Sequence, residues 1–85
     1  MASGLPEMVA VRWQCRRGML ELDMILLPFF EEQYVGLTVD EKIAFIDLLK
    51  EEDQVLYQWL IGREEPVTPE LTEILQKIRL FQWKK

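Results

Sequence analysis

The sequence predicts an all-α fold, a single compact bundle of about five short helices over residues 1–85. Three observations point there. Apolar residues recur at three- and four-residue spacing in the later segments, as a helix with one buried stripe requires. No stretch alternates polar and β-branched residues in the manner of a half-buried strand. Glycine, proline and capping residues punctuate the chain into segments of helical length. Eighty-five residues with a hydrophobic share of 49% suffice for one core and leave no room for a second domain.

The first segment, Pro6 to Arg17, opens with a proline that suits the first helical turn. It closes with Arg16 and Arg17, cations suited to the negative end of a helix, before Gly18, which can adopt the left-handed conformation just beyond it. The second, Met19 to Tyr34, is apolar almost all round. Leu22, Leu26, Phe29 and Phe30 lie toward one side and Leu20, Met24 and Leu27 toward another, so it is expected to lie centrally. Pro28 removes a hydrogen-bond donor and crowds the Met24 carbonyl, which predicts a kink or break there.

Gly36 ends that segment, and Thr38-Val39-Asp40-Glu41 forms a capping box that opens the third helix. Its buried stripe is Ile43, Ile46 and Leu49, widened by Phe45 and Leu48. Asp53 is placed to cap a short fourth helix that presents Val55, Leu56, Trp59 and Leu60 and ends at Gly62. After the charged loop to Pro66, Thr68 and Pro69 start the last helix, with Leu71, Ile74, Leu75, Ile78 and Phe81 on one stripe. Its end, residues 82–85, is expected to fray.

The formal charge of −5 is unevenly spread: residues 1–20 sum to +2, residues 21–53 to −8 and residues 54–85 to +1. A basic patch beside an acidic body argues against nucleic acid, whose phosphates need a broad cationic footprint free of neighbouring carboxylates. Cys15 is the only cysteine, so no intramolecular disulfide forms and the expected compartment is the reducing cytoplasm. Its flanking arginines would favour a thiolate, but a lone cysteine more often packs as a small hydrophobe. The longest apolar run, residues 24–30, is far short of a membrane span. The N-terminus has the pattern of neither a secretory signal nor a transit peptide.

Histidine is absent altogether, which removes the commonest general base and metal ligand and the usual activator of serine or cysteine nucleophiles. The glycines are isolated and form no phosphate loop. One cysteine without histidine leaves only carboxylates for a metal. Glu21 and Asp23 are two apart, so on a helix they diverge and cannot converge on one reacting bond. Glu31, Glu32 and Glu51 to Asp53 read as solvated faces. No catalytic, cofactor-binding or metal-binding residue is assigned, and the chain is not expected to be an enzyme.

The remaining feature is the corner Cys15-Arg16-Arg17-Gly18-Met19-Leu20-Glu21-Leu22-Asp23. Every polar residue in it has a local use: arginines at a helix end, glycine at the turn, carboxylates in the next first turn. Yet Arg12, Arg16, Arg17, Glu21 and Asp23 fall within a dozen residues, and charges of both signs around a bare glycine backbone also make a docking point. Residue chemistry alone leaves both readings open.

Val11 to Tyr34, with the core Arg17-Gly18-Met19-Leu20-Glu21-Leu22-Asp23, resembles the signature of the SdhE family of FAD assembly factors. Pro28 to Tyr34, Leu37 to Lys42 and Leu56 to Leu60 extend the resemblance over most of residues 9–62. It implies a helix bundle that docks through its signature corner onto the flavoprotein subunit of succinate dehydrogenase, and in bacteria of fumarate reductase, and promotes covalent flavin attachment. Arg17, Gly18, Glu21 and Asp23 would form the contact surface, joined by Arg16 and Arg12. Leu22 would be core and Met19 could serve either role. FAD would be handled on the partner, joined to the partner's histidine, with none bound stably by this chain. Rival expectations are direct FAD binding through Arg12, Arg16 and Arg17, a generic acidic interaction module using the −8 segment, and an enzyme using Cys15.

Overall fold

The computed structural model describes residues 7–83. Among them are five α-helices in the order α1 (Met8–Gln14), α2 (Leu20–Gln33), α3 (Val39–Leu48), α4 (Asp53–Leu60) and α5 (Pro69–Trp83). A 3-10 turn, Tyr34–Gly36, joins α2 to α3, and no strand occurs among the described residues. The Cα radius of gyration, 12.0 Å, is that of a compact chain of this length.

Helix α1 is shorter than expected: it stops at Gln14, with Arg16 and Arg17 beyond it. Its expected start at Pro6 lies outside the described residues. Gly18 does not close it in the left-handed conformation, for among the described residues Gly62 alone has a positive φ. The closure occurs earlier. The Cys15 amide donates to the Val11 and Arg12 carbonyls and the Arg16 amide to that of Trp13, so the end is satisfied before Gly18 is reached.

Helix α2 runs unbroken through Pro28. The missing hydrogen bond costs about 3 kcal/mol, but Phe29 and Phe30 just beyond it are buried, and burying each contributes about 1.5–3 kcal/mol. Phe29 packs its ring 5.6 Å from Phe45 and edge-on, also at 5.6 Å, against Phe81. Tyr34 lies 4.9 Å from Phe30 and 5.8 Å from Phe45. The helix is central on one side only: Leu22 and Leu26 are fully buried, while Leu20 and Met24 are each 67% exposed.

The capping box forms as expected, with the Glu41 amide donating to Thr38 Oγ1 at 3.1 Å and the Thr38 amide to Glu41 Oε1 at 2.9 Å. The buried face of α3 is Ala44, Phe45, Ile46, Leu48 and Leu49; Ile43, expected inside, is exposed. Helix α4 buries Leu56, Trp59 and Leu60, with Val55 partly buried against the core. Gly62 ends it at φ 85° in a paired arrangement, its amide donating to Trp59 O and the Arg63 amide to Gln58 O.

Helix α5 packs on α2, α3 and α4 and buries Ile74, Leu75 and Ile78, with Leu71 and Phe81 partly covered. Lys77 joins it to Glu41 of α3 at 2.7 Å. Arg79 donates to the Trp59 carbonyl at the end of α4. Lys84 and Lys85 lie outside the described residues. No helix among the described residues is long and apolar enough to cross a membrane.

Candidate functional site

The corner between α1 and α2 is where ends of four helices meet. Arg17 leaves α1 and reaches across the molecule. Its Nη1 donates to Gln14 O, in the last turn of α1, at 2.9 Å and to Leu49 O, at the end of α3, at 2.8 Å. Its Nη2 donates to Glu51 O in the turn to α4. Its Nε pairs with Asp53 Oδ1 at 2.8 Å. One cation thus serves the carbonyl ends of α1 and α3, where the helix dipoles favour positive charge.

Two carboxylates complete the joint. Asp53 Oδ2 accepts from the Met19 amide, the N-cap of α2, at 3.2 Å. Asp23 Oδ1 accepts from the Arg17 amide at 2.6 Å. Both anions stand at helix N-termini, the positive ends of their dipoles. The Arg17 guanidinium, helped by the Met19 and Gly18 amides, holds the Asp53 carboxyl below its ordinary range. Asp53 was expected to cap α4 and to belong to a solvated face. The N-cap is Glu52, with no side-chain cap, and the Asp53 carboxylate is turned to Arg17 because a guanidinium offers stronger hydrogen bonds than the amides of its own helix.

This arrangement divides the sequence-assigned residues. Arg17 is only 12% exposed and Asp23 19%, both engaged within the chain. Met19 is partly buried against the core, and Leu22 is wholly inside. Arg12 is tied to Glu31 of α2 at 2.7 Å, and Arg16 lies 3.9 Å from Asp23. Gly18 and Glu21 remain exposed. A Cβ built on Gly18 would meet only Asp53 Oδ2, at an ordinary 3.6 Å, so neither backbone conformation nor internal packing requires glycine there.

Exposed apolar residues flank the corner: Val9 and Trp13 on α1, four apart and so on one face, and Leu20 and Met24 likewise on α2. Sequence reasoning did not assign them to the site. The available signal was α2 itself, apolar on a second side that the small core cannot cover. Cys15 is fully buried, and burial pushes its thiol up to about 12 against the lowering pull of Arg17 and Arg12. The arginines do not make it a thiolate.

Fold and site together define a small all-α protein whose distinctive surface is a backbone corner braced by one arginine and two aspartates. The chain belongs to the family described as the flavinator of succinate dehydrogenase, whose model matches residues 10–82. It is 48% identical over 69 residues to the FAD assembly factor SdhE of Coxiella burnetii, covering 81% of this chain and 84% of the relative. It is 43% identical over 75 residues to that of Shewanella oneidensis, covering 88% and 92%. The solution structure of a UPF0350 protein superposes with a TM-score of 0.76 at 36% identity, over 99% of this chain and 88% of that one. The chain is thereby placed among assembly factors, not enzymes.

Proposed function

We propose that this protein promotes covalent attachment of FAD to the flavoprotein subunit of succinate dehydrogenase, docking on that subunit through the Gly18 corner. The fumarate reductase flavoprotein is a second partner of the same kind. The observation that carries the docking surface is the unneeded glycine: the fold tolerates a Cβ at position 18, so the bare backbone is explained by what must approach it from outside. Exposed Glu21 beside it supplies a charge for orientation, and Trp13 is the type of residue that anchors interfaces.

The chain supplies no reacting group. It favours a partner conformation in which the partner's histidine and the flavin methyl carbon are aligned, and alignment with exclusion of water accelerates such a step without a helper side chain. Handling of FAD on the partner is supported by the state of the arginines, since Arg12 and Arg17 are spent on Glu31 and on the corner. A groove of about 550 Å³ between α3 and α5 has Asp40, Asp47, Glu70 and Glu73 in its lining, which repel a diphosphate. The reaction takes place in the cytoplasm.

The test mixes purified, FAD-loaded flavoprotein subunit with this protein and follows covalent flavin by fluorescence after denaturation. Wild type accelerates incorporation; Gly18→Arg, folded by circular dichroism, does not. Incorporation at the wild-type rate by Gly18→Arg would remove the corner from the function.

A further inference from the structure

The corner's geometry is set from a distant part of the chain. Arg17 and Asp53 are 36 residues apart, yet every element around Gly18 is tied through them. Of the five guanidinium N–H groups that an arginine carries, four are engaged: Nε with Asp53, Nη1 with Gln14 O and Leu49 O, and Nη2 with Glu51 O. A side chain so occupied and so little exposed has almost nothing left to offer a partner. Asp53 uses one oxygen on Arg17 and the other on the Met19 amide, and that second oxygen is also the nearest atom to the open face of Gly18.

We propose that Asp53 and Arg17 are positioning residues for docking: they hold the Gly18–Met19 backbone in the geometry the partner binds, and neither is itself a main contact. The inference rests on the Gly18 corner being the docking surface. It reassigns Arg17 from contact to brace, and adds Asp53, which lies outside the signature. The division of labour follows from preorganisation. A backbone surface with no side chain at its centre binds well only if its conformation is fixed before contact, because ordering it on contact would subtract from affinity. Glycine is the residue least able to fix its own conformation, so the fixing comes from flanking groups anchored in α3 and α4.

Asp53→Asn is the sharpest variant: it keeps the shape but turns one of two acceptors into a donor facing a donor. Arg17→Lys keeps the charge and loses the fork that reaches Leu49 O and Glu51 O. Both are compared with wild type and Gly18→Arg in covalent flavin incorporation into the purified FAD-loaded subunit, titrating the factor. The temperature lies below each variant's unfolding transition, and amide hydrogen exchange is recorded on the free factor.

The expected result is a half-saturating concentration raised about tenfold in both braced-corner variants, with the saturating rate unchanged. The Met19 amide exchanges faster while the amides of α5 keep their protection. A purely structural role would not separate half-saturation from rate, nor confine the faster exchange to the corner. Wild-type half-saturation in both variants, alongside loss of docking in Gly18→Arg, overturns the inference and leaves the docking surface standing. A lowered saturating rate at unchanged half-saturation overturns it as well, as does loss of protection throughout α5, which would make the pair a brace for the whole fold. Wild-type docking by Gly18→Arg removes the docking surface itself, and the inference with it.

Discussion

Gly18 is the position where a residue's internal and external reasons separate. Its φ is not positive, and a Cβ there makes one ordinary contact, with Asp53. An alanine therefore adopts the native backbone without strain and restricts the unfolded chain, so Gly18→Ala is expected to be neutral or to stabilise by up to about 1 kcal/mol. Urea denaturation of the variant checks this, and a loss above about 1 kcal/mol would mean that the fold does need the glycine. Gly62 gives the contrast within the same chain: its φ of 85° completes the end of α4, and there a side chain is strained whatever space surrounds it. One glycine belongs to the fold, the other to the surface.

At the scale of elements, the cleanest isolated contribution is the capping box of α3, whose two hydrogen bonds satisfy amides that no helix can satisfy itself. Thr38→Ala is expected to cost about 1 kcal/mol, read as a lower urea midpoint at unchanged slope. That box and the Gly62 closure were legible in the sequence because cap and capped group lie within five residues. Asp53 did not cap α4 for the opposite reason: a distant group, Arg17, takes its carboxylate. Helix α2 likewise runs unbroken through Pro28 where the distant Phe45 and Phe81 pack on Phe29. Gly18 did not close α1 because the Cys15 and Arg16 amides satisfy its end first. The candidate site divides in the same way. The corner itself was legible from the motif around Gly18. Which of its residues face outward was not, nor was the part of Asp53, since Arg17's partners Leu49, Glu51 and Asp53 stand more than 30 positions away.

For the molecule as a whole, these contacts set a pH window of stability. Arg17 holds the Asp53 carboxyl low, and Lys77 with the Thr38 amide does the same for Glu41. Carboxyls in an unfolded chain titrate near pH 4. Where the folded value is lower, the unfolded state binds more protons, so stability is complete above about pH 5 and is lost as pH falls through the folded values. Cys15 works at the other limit. Its thiol is raised to about 12 by burial, whereas an unfolded cysteine ionises near 8.5. Its contribution is intact below about pH 8 and declines as pH rises from there toward the folded value, because the unfolded state then releases its proton first. Urea midpoints measured from pH 3 to 10 should therefore climb to a plateau between about pH 5 and 8 and fall beyond it. Asp53→Asn should lower the plateau and flatten the acid limb, and Cys15→Ala should flatten the alkaline limb alone. An acid limb of wild-type steepness in Asp53→Asn would mean that the Arg17–Asp53 pair contributes no pH-dependent stability. The plateau spans the neutral range, where Asp53 is ionised and the Arg17–Asp53 brace behind Gly18 is fully charged.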